Sequence, residues 1–174
     1  MEMMVATAIS AVVGSLLIAG LSMVMKVDRF TRQDSEALAE LRTATERFQK
    51  ELRQARKIYY ETTNPPLSTA TVVYFWVDYD RNNQQDLDER IIWRLQTLST
   101  GEMRLLRTTK EKEEASEDPF IEAAGLVSGS SFSYNPAPPD STVVTLTLRA
   151  DVSSGAQPSG RTVRTQVRLR NATA

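Results

Sequence analysis

Cysteine and histidine are both missing from this 174-residue chain. Without them there is no thiol nucleophile, disulfide, haem attachment or Cys/His zinc site, and no Ser-His or Cys-His catalytic pair. Any acid–base chemistry would fall to Asp, Glu, Lys or Tyr. The seven glycines are scattered, and they form neither a phosphate-cradling loop nor a dinucleotide fingerprint, while a G-x-S-x-G elbow is also lacking. Neither sign of charge dominates: 21 basic and 22 acidic side chains leave a net charge of −1, so no whole-molecule field recruits nucleic acid or an acidic partner. The expectation is a chain that is not an enzyme. Its redox compartment stays open, because an exported protein without disulfides is as permissible as a cytosolic one.

What the chain does possess is strongly asymmetric. The mean hydropathy of −0.34 is that of a soluble protein, yet residues 3–25 (MMVATAISAVVGSLLIAGLSMVM) are 23 consecutive positions without a charge, between Glu2 and Lys26. A helix needs roughly 20 such residues to cross a hydrocarbon core about 30 Å thick. The run lacks the basic start, shorter apolar core and small-residue cleavage site of a secretory signal, so it reads as an anchor. The competing reading is a buried core helix, but a single domain of this size seldom surrounds a helix that is apolar on every face.

Beyond Lys26 the helical pattern continues as a stripe. Leu38, Leu41, Thr45, Phe48, Leu52, Ala55 and Tyr59 recur at spacings of three and four. Asp28 with Arg32, Arg42 with Glu46, Glu46 with Lys50, and Arg47 with Glu51 stand four apart, suited to weak pairing on the wet side. One helix from about residue 3 to residue 59, about 85 Å long, is the simplest reading. Asn64-Pro65-Pro66 is its stop signal. The division that follows is an apolar half-helix over 1–27, an amphipathic half-helix over 28–60, and a globular head over 61–174.

In the head the period changes to that of strands. Residues 71–77 (TVVYFWV) and 90–95 (RIIWRL) are β-branched and aromatic runs, with 103–107 and 131–134 as shorter candidates. Val144, Leu146, Leu148 and Ala150 alternate with Thr145, Thr147 and Arg149, and Val163, Val167 and Leu169 alternate with Arg164, Gln166, Arg168 and Arg170. Such alternation implies an antiparallel sheet with one buried face. A Ser/Gly/Pro loop over 151–160 joins the last two strands as a hairpin. Residues 110–119 (KEKEEASEDP) read as a solvated charged loop. The fold class is α+β: a long N-terminal helix, apolar in its first half and amphipathic in its second, packed against a small antiparallel sheet.

Three stretches carry a resemblance: the opening Glu2-Met3-Met4-Val5-Ala6-Thr7-Ala8-Ile9, the segment Gly129-Ser130-Ser131-Phe132-Ser133-Tyr134 with its Pro-rich sequel, and the closing Val167-Arg168-Leu169-Arg170-Asn171. With the order of elements, they make the chain similar to the type IV pilin-like family, in particular the W-type minor pilins and J-type pseudopilins of type II secretion. The resemblance implies a structural subunit that helps to initiate or cap a filament. Its half-helix would sit in the bacterial inner membrane before bundling with other pilins or pseudopilins, and the head would lie in the periplasm or extracytoplasmic space. It also implies a role for Glu2, which would compensate the N-terminal amine of a neighbouring subunit; the plain alternative is that Glu2 marks the headgroup side of an anchor. Family members carry a leader cut by prepilin peptidase, begin with an aromatic residue and place the Glu fifth. Here only Met1 precedes Glu2, which implies a trimmed or misplaced start, so neither cleavage nor N-methylation is assigned to a residue.

Between the first two strands lies a second constellation, residues 78–89 (DYDRNNQQDLDE). Against the calcium loop D-x-[DN]-x-[DN]-G-x5-E, oxygen donors fall at positions 1, 3, 5, 9 and 12 as Asp78, Asp80, Asn82, Asp86 and Glu89, with the backbone carbonyl of Gln84 at position 7. Asn83 replaces the usual glycine at position 6, although Asn tolerates the left-handed conformation better than most residues. The flanks are strands, so this would be a calcium loop grafted on a hairpin. A solvated acidic turn balanced by Arg81 and Arg90 is the alternative.

Arg161, Arg164, Arg168 and Arg170 are spaced to contact phosphates, or else form the charged solvent face of a terminal strand that discourages edge pairing. The second is favoured, and nucleic acid is not the expected partner. The aromatics Tyr74, Phe75, Trp76 and Trp93 read as core and cross-strand pairs rather than as a stacking platform. A single-pass anchor carrying a binding domain that never enters a filament, with a link to DNA uptake, is the remaining functional alternative.

Overall fold

The computed structural model of the chain describes residues 2–59, 68–136, 141–154 and 157–169. The proline stop Asn64-Pro65-Pro66 and Arg170 therefore lie outside the described residues, as does the side chain of Glu2. The order of elements is α1 (Glu2–Gln54), β1 (Lys57–Ile58), β2 (Val72–Trp76), β3 (Arg90–Thr97), β4 (Met103–Thr109), α2 (Lys110–Glu114), β5 (Phe120–Leu126), β6 (Ser131–Asn135), β7 (Val143–Ser154) and β8 (Gln157–Arg168). A long apolar N-terminal helix followed by a curled antiparallel sheet is the α+β layout expected from the sequence. The chain divides into two compact units, Met1–Glu36 and Ala37–Ala174, with α1 running through both.

The first unit is helix alone. Leu16, Leu17, Ile18, Leu21, Met23 and Val24 are all exposed, each by more than 60%. Its hydroxyls are turned inward on the helix itself. Thr7 donates to the carbonyls of Met3 and Met4, Ser15 to that of Val12, Ser22 to that of Ala19 and Thr31 to that of Val27, at 2.7–3.0 Å. Asp28 and Arg32 pair at 3.0 Å once the charged stretch begins.

In the second unit the helical stripe is buried as its spacing requires. Leu41, Ala44, Phe48 and Leu52 are at most 1% exposed and join Val73, Phe75, Ile91, Trp93 and Leu95 from β2 and β3, Val77 just beyond β2, and Leu146 and Leu148 of β7 in one core. Phe48 meets Trp93 edge to face at 5.3 Å and Phe132 at 5.7 Å, contacts that add to the area they bury. The opposite face of β2 and β3 is also covered: Tyr59, Tyr74, Trp76 and Ile92 form a second buried cluster. Burial on both faces explains why 71–77 is a nearly unbroken apolar run rather than an alternation.

The sheet is antiparallel throughout, in the order β1-β2-β3-β4-β5-β7-β6, with β8 on the other edge of β7. The hairpin of β7 and β8 keeps a continuous register from Val143↔Arg168 to Ser154↔Gln157. Alternation put Val144, Leu146, Leu148 and Val167 inside, and they are buried.

The loop expected over 151–160 gives way to strand, β7 continuing to Ser154 and β8 starting at Gln157, and three further local readings change. The helix ends at Gln54 rather than near residue 59, because the backbone of the next residues is needed elsewhere. Arg56 and Tyr59 donate their N–H groups to the carbonyls of Trp76 and Tyr74 at 2.9 and 2.8 Å, pairing β1 with the edge of β2. Ile58 and Tyr59 then face opposite clusters, as neighbours in a strand do. Secondly, the charged run read as a loop opens with a short helix, α2, whose N-cap Thr109 accepts the N–H of Lys112. Glu111 and Glu113 lie in its first turn, where acidic side chains suit the helix dipole. Thirdly, β5 is an additional strand. Its sequence FIEAAGL buries only Ala123 and Leu126, and register shifts against β4 at Leu105 and Leu106 break the alternation that a sequence reading relies on.

Candidate functional site

The turn between β2 and β3 gathers three carboxylates. Val77, the buried residue just after β2, donates its N–H to the Glu89 carbonyl at 3.0 Å, and the loop springs from that closed pair. The ligand atoms of Asp78, Asp80 and Glu89 all lie within 4.8 Å of one another.

Each carboxylate has a different environment. Glu89 is buried: its Oε1 accepts the N–H groups of Tyr79 and Asp80 at 2.6 and 3.2 Å, and its Oε2 accepts Trp76 Nε1 at 3.1 Å. Asp80 is exposed and accepts the Asn82 N–H on Oδ1 at 3.0 Å and Asn82 Nδ2 on Oδ2 at 2.6 Å. The Asp78 side chain is wholly enclosed, with Arg56 Nη2 2.9 Å from Oδ2; among the described residues Oδ1 has no donor, and the Arg56 approach lacks hydrogen-bond geometry. Arg56 also sits 6.0 Å over the Trp76 ring.

The other calcium-loop positions are linked to this cluster by hydrogen bonds rather than by ligand geometry. Asn82 Nδ2 also donates to Asp86 Oδ2 at 3.2 Å, and the Gln84 N–H donates to Asn82 Oδ1 at 2.6 Å. Thus Asp78, Asp80 and Glu89 come together, Asn82 and Asp86 adjoin Asp80, and Gln84 is attached through its backbone. Asn83 has φ 58°, the left-handed conformation that position 6 requires, and Arg81 has φ 63°. Arg90, read as countercharge, instead donates from Nε and Nη2 to the Gln85 carbonyl at 3.1 and 2.8 Å.

Two partners of this loop escaped the sequence reading. Arg56 approaches Asp78 and donates to Asn83 Oδ1 at 3.3 Å, and Tyr59 donates to Gln85. Both follow the helix by a few residues, more than twenty positions from their partners in the loop, and only the pairing of β1 with β2 brings them there.

The arginines do not form a single row. Arg161 opposes Ala150, Arg164 opposes Thr147 and Arg168 opposes Val143, so strand parity sets Arg164 and Arg168 on one face and Arg161 on the other. The face of Arg161 is that of Thr165, which is bonded to Gln49 of α1. All three are exposed. Tyr74, Phe75, Trp76 and Trp93 are buried at 5% exposure or less, which leaves no face of theirs open to a nucleobase.

On the outer side of β3 and β4, Ile92, Arg94, Leu106, Thr108, Glu113 and Pro119 line a shallow, mainly apolar cleft. α2 forms one wall, held by Glu113, which takes Arg94 at 2.8 Å and Lys110 at 2.9 Å.

The remaining candidate is α1 itself, whose apolar part is long enough to cross a membrane by length and composition, and whose most hydrophobic window is not buried at all. The features together define an α+β chain with a membrane-compatible N-terminal helix. Compared with known proteins, the sequence matches no family model, no curated protein and no solved structure.

Proposed function

We propose that the chain is a membrane-anchored, pilin-like structural subunit, a minor pilin or pseudopilin that helps to initiate or cap a filament and performs no catalysis. The observation that carries this reading is the state of the apolar helix: its large side chains are exposed, while Thr7, Ser15 and Ser22 satisfy their hydroxyls on the helix's own carbonyls. Hydroxyls satisfied in this way suit an apolar surround, since hydrocarbon, unlike water, offers them no partner. Lipid meets that condition, and so does a bundle of similar helices.

The order of elements supports the family reading, since the amphipathic half of α1 supplies Leu41, Phe48 and Leu52 to the core of the head. The inner membrane is then the site of the unassembled subunit, with the head on the extracytoplasmic side, other pilins or pseudopilins as partners and prepilin peptidase acting on the precursor. Glu2 is assigned the pairing role at the helix start, because a carboxylate within an apolar bundle is costly unless compensated.

The lack of native cysteine makes the test direct. A single cysteine at Leu16 in the full chain, expressed with its native neighbours, should fractionate with membranes and crosslink to other subunits through the helix. Recovery in the soluble fraction would sink the anchor, whereas membrane recovery without any crosslink would favour the single-pass binding module outside a filament. Glu2→Ala should reduce assembly while leaving membrane insertion intact; assembly equal to the parent removes the pairing role.

A further inference from the structure

We propose that the β2–β3 loop is a divalent-cation site of calcium type, built from Asp78, Asp80 and Glu89. The observation that singles it out from an ordinary acidic turn is Asp78. Its side chain is fully enclosed, its Oδ1 has no hydrogen-bond donor among the described residues, and it shares the cluster with two further carboxylates. A buried charged oxygen without a partner is costly. Arg56 supplies one positive charge, on the Oδ2 side, and three carboxylates so close repel one another unless a cation lies between them.

The dimensions suit calcium. Ligand atoms bound at about 2.3–2.6 Å lie at most about 5 Å apart across the ion, and the three carboxylates fall within 4.8 Å. All the donors are hard oxygens, with no nitrogen or sulfur ligand among them, which disfavours zinc and copper. Glu89 is fixed in orientation by Trp76 Nε1 on one oxygen and the N–H groups of Tyr79 and Asp80 on the other, supporting bonds of the sort that orient metal ligands. Asp86 is tied to Asp80 through Asn82 Nδ2 and adds a further carboxylate beside the cluster, with water making up the rest of the six to eight oxygens that calcium takes. Magnesium demands a stricter octahedron and gives up water reluctantly, so a loop of this kind selects against it. The site is independent of whether the helix enters a filament.

Calorimetric titration of the full chain in nonionic detergent micelles with calcium chloride should show about one ion per chain, and magnesium chloride should bind more weakly. Chelation with EGTA should lower the melting temperature. Asp80→Asn, at an exposed position, should weaken calcium binding about tenfold or more and make melting insensitive to EGTA, with Asp86→Asn as the second variant. Absence of binding at millimolar calcium, or binding and EGTA response unchanged in both variants, overturns the proposal.

Discussion

The indole Nε1 of Trp93, in the middle of the sheet, donates to Glu51 Oε2 on α1 at 3.0 Å. Arg107 Nε of β4 donates to the same carboxylate at 2.8 and 3.1 Å, and Arg47 stands 3.6 Å away with its Nη1 2.8 Å from Glu122 Oε1 in an ion pair. A helix packed only through Leu, Phe and Ala side chains could turn about its axis at little cost. A buried carboxylate bonded to two side chains of the sheet, Trp93 and Arg107, favours one rotation. Tyr79 is half exposed, yet the partial burial of its hydroxyl, followed by the negative charge of Glu51, raises it above the ordinary tyrosine value.

Glu51→Ala should therefore destabilise the head by about 3 kcal/mol, since it leaves a buried arginine and an indole N–H unpaired. Glu51→Gln keeps an acceptor for Trp93 and should cost less. Chemical denaturation of the two variants beside the parent checks the order, and equal stability of Glu51→Ala and parent would show that the network contributes nothing.

Phe48 is fully buried and touches both Trp93 and Phe132. Phe48→Ala should cost about 3–5 kcal/mol through lost transfer energy and the cavity left behind. Leu16→Ala, on the exposed apolar helix, should leave the melting of the head unchanged. The contrast is read from melting curves of the full chain in micelles.

The Glu113 cluster predicts a pH response. Burial pushes the Glu113 carboxyl up, but hydrogen bonds from Lys110 and Arg94 outweigh it and hold the group below its ordinary value. A depressed carboxylate stabilises the fold above its unfolded pKa, and the contribution is lost as pH falls through the folded value. Lys110 is raised, chiefly by its hydrogen bond to Glu113, so its share is present below the ordinary lysine pKa and lost as pH rises through the raised one. Both groups are about one-third exposed, and solvent screening limits the effect to about 1 kcal/mol or less. The difference in melting temperature between the parent and Glu113→Gln should be present at pH 7 and shrink as pH falls below about 4; a constant difference counts against the linkage.

Asn83 holds φ at 58° in the loop. Asn83→Gly should be tolerated within a few tenths of a kcal/mol after loss of the Arg56 contact, whereas Asn83→Val should cost about 1–3 kcal/mol, because a β-branched residue resists that conformation. Thermal melts in the presence of EGTA isolate this backbone effect from any ion.

Periodicity made the helix and the outer hairpin readable. Leu41, Phe48 and Leu52 at helical spacing, and Val144, Leu146 and Leu148 in alternation, declare their inner faces in any context, because apolar side chains must leave water and the backbone geometry fixes which of them do so together. The donor spacing in 78–89 was equally visible, since a turn of twelve residues is a local object. The 23 uncharged positions of the first segment likewise set its demand for an apolar surround without reference to the remainder.

Contacts between distant positions were beyond that reach. Whether residues 55–59 continue α1 or become a strand depends on the vacant edge of β2, and the competition is settled by backbone bonds to Trp76 and Tyr74. β5 lies in a sequence with weak strand preference and is held by its neighbour β4. Arg56 reaches Asp78, and Glu51 meets Trp93 and Arg107, across separations that carry no sequence signal. Local spacing determined which faces are apolar and which loop carries oxygen donors; tertiary structure alone decided which charges face each other, because pairing energy depends on distance in space and on exclusion of water, neither of which is written along the chain.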